Sequence, residues 1–85
     1  MDYIIVAFRS RSHTIKFANI LREKGMAMEI INTPKEAGVG CGLSVKFRKE
    51  NFELAKRIVL MAGLSSFAGF FSVKEISGKR FVRSI

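Results

Sequence analysis

Residues 27–48 read AMEIINTPKEAGVGCGLSVKFR, and their reading decides the fold. Ala27 to Thr33 has the β-branched content of a strand, and Pro34 stops it. Residues 34–42, PKEAGVGCG, have the Pro and Gly content of a loop. Leu43 to Arg48 then alternates, with Leu43, Val45 and Phe47 inward and Ser44, Lys46 and Arg48 outward. Two strands therefore follow one another with no helix between them.

On either side of this pair lies a strand and a helix. Tyr3 to Phe8, YIIVAF, reads as a strand buried on both faces. Ser10 and Ser12 are candidate N-caps for a helix over Thr14–Lys24, where Thr14, Phe17, Ala18 and Leu21 share a face and Gly25 follows the end. Downstream, Asn51 to Ala62 repeats the helical pattern with Phe52, Ala55, Ile58, Val59 and Ala62 on one side, closed by Gly63. Residues 70–76, FFSVKEI, form a fourth strand, and SGK at 77–79 turns the chain towards a further short strand, RFVRSI. The order is β-α-β-β-α-β. Its usual solution is an α+β, ferredoxin-like βαββαβ sandwich: an antiparallel sheet with two helices on one face, strand 1 between strands 3 and 4, and an extra strand at the C-terminus.

Composition bounds the rest. The chain has 85 residues, of which 48% are hydrophobic, so it reads as a single folded domain over 1–85. No apolar run reaches the roughly 18 residues of a membrane span, and the start MDYIIVAF has no basic n-region or cleavage site. These features predict a cytoplasmic protein. The single cysteine, Cys41, excludes an internal disulfide and a zinc cluster and is a free thiol in a reducing compartment. Fifteen Lys and Arg against seven Asp and Glu give a net charge of +8. That suits an anionic partner, whether nucleic acid, an acidic protein or a small anion, and it equally suits a merely soluble surface. The basic residues are spread along the chain, which weakens the case for a nucleic-acid arm.

The topology gathers distant segments at one edge. Strand 3 runs antiparallel to strand 1, so FRSRSH (8–13) meets GVGCG (38–42), and GLSSFAG (63–69) joins them. Cys41 has the parity of Leu43, Val45 and Phe47 and is expected to lean towards the helices. A thiol pKa falls near a helix N-terminus and near cations. Arg9, Arg11, Ser10 and Ser12 surround that helix start, and Lys35 lies in the thiol loop. Gly40 and Gly42 bare the backbone on either side of the sulfur, which opens it to a partner or an anion. The plainer readings are a cysteine acting as a small buried hydrophobe and glycines serving only a turn. His13 reads as a first-turn polar residue. No residue set suggests a metal, no cofactor is implied, and GVGCG lacks the ending of a phosphate loop. An RNA-recognition sheet needs stacked aromatics on strands 1 and 3, whereas strand 3 offers only Phe47, pointing inward.

The segments FRSRSHTIKFANILREKG and NTPKEAGVGCGLSVKF, with the helix ending near AGL, resemble the selenium/sulfur carrier protein-like family of small bacterial domains. The matching motifs are Phe8-Arg9-Ser10, Thr33-Pro34-Lys35-Glu36 and Gly40-Cys41-Gly42. The resemblance implies a non-enzymatic carrier that holds sulfur or selenium on Cys41, between a desulfurase-like donor and an acceptor protein. Two other readings stand beside it. One is a ferredoxin-like binding module that recognises nucleic acid or another anionic partner through its basic surface. The other is a homodimer formed through the open sheet face.

Overall fold

The computed structural model describes residues 2–85. Its elements are β1 (Asp2–Phe8), α1 (Arg11–Glu23), β2 (Met28–Asn32), β3 (Leu43–Phe47), a 3-10 turn (Lys49–Asn51), α2 (Phe52–Met61), β4 (Phe67–Ile76) and β5 (Lys79–Ser84). The strand order is β2-β3-β1-β4-β5, with every adjacent pair antiparallel. This is the α+β, ferredoxin-like arrangement with one strand added beyond β4. No helix among the described residues is long and apolar enough to cross a membrane.

The strands sort their side chains by parity. Ile4, Val6 and Phe8 of β1 face the helices, where they pack with Phe17, Ala18 and Leu21 of α1 and Ala55, Ile58 and Val59 of α2. Val45 and Phe47 of β3 join the same core. Phe8, at the end of β1, is fully buried between Phe17 (ring centroids 5.5 Å apart) and Phe67 (6.2 Å). That packing holds α1 and the start of β4 to the edge where β1 ends. Gly25 and Gly63, at φ 72° and 62°, follow the two helices in the left-handed conformation that closes a helix. Ser77 and Gly78, at φ 50° and 77°, form the tight turn into β5, as the SGK reading predicts.

The second sheet face carries no helix, yet it is not open. Ile5, Ala7 and Val73 on that face are fully buried, and Tyr3 and Phe71 nearly so. The β2–β3 loop supplies the cover. Pro34 is buried, and Ala37 packs on the Tyr3–Ile5–Ala7–Phe71–Val73 cluster. The Lys46 ammonium sits 4.3 Å from the centre of the Tyr3 ring. Ser44, read as an outward residue, is fully buried beneath this loop. Its hydroxyl is satisfied by Thr33 Oγ1 at 2.7 Å, which is why a polar side chain is tolerated there.

Candidate functional site at Cys41

Three segments converge where β1 ends. The Cys41 amide donates to the Phe8 carbonyl at 2.9 Å, so the thiol loop is bonded directly to the last residue of β1. The Arg9 amide donates to the Ser66 carbonyl at 2.8 Å, and the Ser10 amide to Ser66 Oγ at 3.2 Å. His13 Nδ1 lies 2.6 Å from the same hydroxyl. The three stretches that topology brings to one edge are thus tied together by hydrogen bonds.

Gly40 and Gly42 adopt φ of 92° and 95°, a conformation that costs an L-residue strain of roughly 1–3 kcal/mol. They differ in their surroundings. A Cβ on Gly40 would stand 3.1 Å from the Phe8 carbonyl oxygen and 3.3 Å from Ala7 Cβ, whereas one on Gly42 would meet nothing within 4 Å. Gly40 is therefore needed for close approach to β1, and Gly42 for backbone conformation alone.

Cys41 itself is partly exposed, and Leu43 begins β3 two residues later. Its Sγ lies 3.6 Å from Thr14 Oγ1 and 3.7 Å from the Leu43 carbonyl oxygen. Thr14 is fully buried on the inner face of α1, so the sulfur leans towards the helices. Burial pushes the Cys41 thiol up. Against it act the Thr14 hydroxyl, the backbones of Leu43 and Cys41, and the charge of Arg11, and the balance holds the thiol below its ordinary value. The thiol form donates to the Leu43 carbonyl, but over a long distance and from a weak donor, so this contact opposes ionisation little.

Thr14 has a single hydroxyl proton, and its Oγ1 is within 3.2 Å of the Ser10 carbonyl. That carbonyl also accepts from the Thr14 amide at 3.1 Å. The hydroxyl proton can therefore turn to a thiolate without stranding the carbonyl. The helix end adds to the effect. The first turn of α1 contains no acid and begins with Arg11, so two positive contributions, the helix dipole and a guanidinium, go without a carboxylate there. Thr14→Val should accordingly raise the midpoint of a pH series of iodoacetamide alkylation; an unmoved midpoint would show that this hydroxyl does not act on the sulfur. The linkage has a definite sign. A lowered folded pKa contributes stability that is full above the unfolded value of roughly 8.5 and is lost as pH falls through the folded value.

The residues singled out from sequence take distinct places. Ser10 is the N-cap of α1, accepting from the His13 amide at 3.2 Å. Ser12 is exposed in the first turn, with Oγ 2.9 Å from Ser10 Oγ. Arg9 is exposed, and its guanidinium donates to the Phe67 carbonyl at 3.4 Å. Arg11 is exposed and acts on the sulfur through its charge. Lys35 is exposed on the rim of a shallow cleft that it shares with Thr33, Val39, Gly40 and Gly42, and it forms no ion pair among the described residues. Two contributors escaped the sequence reading. Thr14 was legible as a core-face residue but not as a partner of the sulfur, although parity places it and Cys41 on the same side. Ser66 stood in an undistinguished loop, and nothing local marks it as the acceptor that docks that loop onto α1. Among the described residues there is no cluster of His, Cys, Asp and Glu able to hold a metal. Phe47 is buried in the helix-facing core, away from any stacking surface.

A family model described as "Putative Se/S carrier protein-like" matches residues 2–66. The match spans β1 to the docked Ser66, includes Cys41, and ends before β4 and β5. No curated protein matches the chain, and no solved structure does.

Proposed function

The chain belongs to the Se/S carrier protein-like family, and from the setting of Cys41 we propose that it carries one sulfur or selenium atom on that thiol, between a desulfurase-like donor and an acceptor protein. In the sulfur case the Cys41 thiolate attacks the outer sulfur of a donor persulfide. A new S–S bond forms to Cys41, the donor's S–S bond breaks, and the donor leaves as a thiolate. The acceptor's thiolate then repeats the same exchange on the Cys41 persulfide. No external oxidant or reductant is consumed in either step. Selenium follows the same course with an S–Se bond.

The observation that carries this reading is the position of Cys41 Sγ. It lies 3.6 Å from the Thr14 hydroxyl, beside an uncompensated helix N-terminus with Arg11 in its first turn. That setting favours the thiolate that attacks, and it favours a persulfide anion for the same electrostatic reason. Partial exposure and the left-handed glycine backbone leave the sulfur within reach of a second protein. The chain supplies the carrying atom while the donor and acceptor supply turnover, so its role is carriage and not catalysis. A free thiol used in this way belongs to a reducing compartment, the cytoplasm.

The test is mass spectrometry after incubation with a cysteine desulfurase and cysteine. The expected result is a gain of about 32 Da, one sulfur atom, located on Cys41 and removed by a thiol reductant. A desulfurase that discharges sulfide into solution while the chain stays at its native mass would reject the assignment.

A further inference from the structure

The turn that covers the helix-free sheet face ends in an ion pair that the carrier reading does not use. Glu36 lies in the loop between β2 and β3, and β2 is one edge of the sheet. Arg80 lies on β5, the strand at the opposite edge. Arg80 Nη2 donates to Glu36 Oε1 at 2.9 Å and Arg80 Nε to Oε2 at 3.3 Å, a two-pronged contact between residues 44 apart in sequence. To make it, the loop crosses over β1 and β4, and Ala37 beside Glu36 seats on the cluster of Tyr3, Ile5, Ala7, Phe71 and Val73. The same loop then returns to Cys41, whose amide bonds to Phe8. The loop is therefore held at its crossing by Glu36 and at its return by the Cys41 amide.

We propose that Arg80 is a positioning residue for Cys41: β5 clasps the thiol loop across the sheet through Glu36 and so limits how far the sulfur can leave the N-terminus of α1. The proposal rests on Cys41 being the working group of the chain. It also gives a role to a strand outside the family-matched residues 2–66. The chemistry suits a clasp. A guanidinium fork on a carboxylate fixes direction as well as distance, which a lysine at the same place would not do. Glu75 pairs with Arg80 in the β4–β5 register, and its charge acts on the guanidinium beside that of Glu36. The hydrogen bonds from Arg80 to Glu36 hold that carboxyl below the usual carboxylate range. Both partners keep about two-fifths exposure, so the pair shifts a local opening without deciding whether the chain folds.

The test compares local with global protection. In Arg80→Ala, amide exchange should quicken roughly two- to fivefold at Ala37 and Cys41, the range a partly exposed ion pair commands. Exchange at Ile5 and Val6 in the central strand should be unchanged. At a pH where the thiol is fully ionised, so that loss of the Thr14 contact does not change the thiolate fraction, alkylation of Cys41 by a bulky haloacetamide should rise by the same factor, because the loop that carries the sulfur opens more often. Glu36→Gln, which breaks the pair without touching β5, should reproduce both effects. Arg80→Lys, which keeps the charge but loses the fork, should show both effects in weaker form. Equal acceleration at Ile5 and Val6 would mean that the pair only stabilises the fold, and unchanged alkylation would mean that it does not govern the sulfur; either overturns the proposal. These readouts need no donor enzyme, so failure of the carrier reading leaves them intact and is recognised separately by the absence of sulfur loading.

Discussion

Cys41→Ser should take up no sulfur at all while keeping the fold. The loss is complete because the chain has no second thiol to which sulfur could migrate. The fold survives because Cys41 belongs to neither apolar core cluster and lies outside the strands. Its structural bond to β1, from the Cys41 amide to the Phe8 carbonyl, involves only backbone and is kept by serine. The serine hydroxyl replaces the thiol opposite Thr14. Stability should therefore change by no more than about 1 kcal/mol, a shift of at most ~4–8 °C in Tm for a domain of this size. Mass spectrometry of desulfurase-treated protein, with a thermal melt as control, checks both halves. Sulfur retained by Cys41→Ser would place the carried atom elsewhere and remove the thiol from the mechanism. A collapse of the melt would instead make Cys41 a packing residue, the plainer reading of a lone cysteine.

The fold was legible because its periodicities are clean. The alternation of residues 43–48 and the continuous apolar run of 3–8 each mark a strand, and the absence of a helix between residues 33 and 43 selects the split arrangement. Where the reading erred, tertiary contacts outweighed local pattern. Ser10 and Ser12 are equivalent as caps by composition. The contact of Ser10 Oγ with the His13 amide chooses the earlier one and starts α1 at Arg11, three residues before the predicted Thr14. Strand β4 begins at Phe67 rather than residue 70, because pairing with Phe8 across a register shift recruits a segment whose own sequence, Phe-Ala-Gly, is a poor strand signal. Ser44 was assigned to solvent on parity alone. Parity gives its face correctly but cannot say that a loop from the same chain lies over that face. The Glu36–Arg80 contact was hidden for a related reason: nothing in a charge pattern announces a partner 44 residues away on a strand at the far edge. The thiol site was half legible. Topology put Cys41 beside the start of α1, while the particular hydroxyl that reaches it depends on helix rotation, which Phe17, Ala18 and Leu21 set through the core.

Gly40→Ala should be the most damaging single-methyl change in the thiol loop, costing about 2–4 kcal/mol. Two terms add. The first is the backbone term, since φ is 92°. The second is steric, because the new Cβ would stand 3.1 Å from the Phe8 carbonyl oxygen, which already accepts the Cys41 amide. The carbonyl belongs to the central strand and cannot swing aside, so the loop must lift, and with it goes the bond that holds Cys41 to β1. Gly42→Ala is the internal control. Its φ, 95°, imposes the same backbone term, but the added methyl meets no atom within 4 Å, so the cost should stay near 1 kcal/mol. In thermal melts the first variant should lose roughly 8–32 °C and the second ~4–8 °C. Sulfur loading should divide in the same way. It should be impaired in Gly40→Ala even at temperatures where the chain is still folded, because Cys41 has left Thr14, and nearly normal in Gly42→Ala. If transfer from a donor protein to Gly42→Ala slows while small alkylating reagents react at the normal rate, Gly42 serves access for a large partner as well as backbone conformation. If both variants melt alike and load alike, close approach of the loop to β1 is not what positions the thiol, and the contact of Gly40 with Phe8 is incidental.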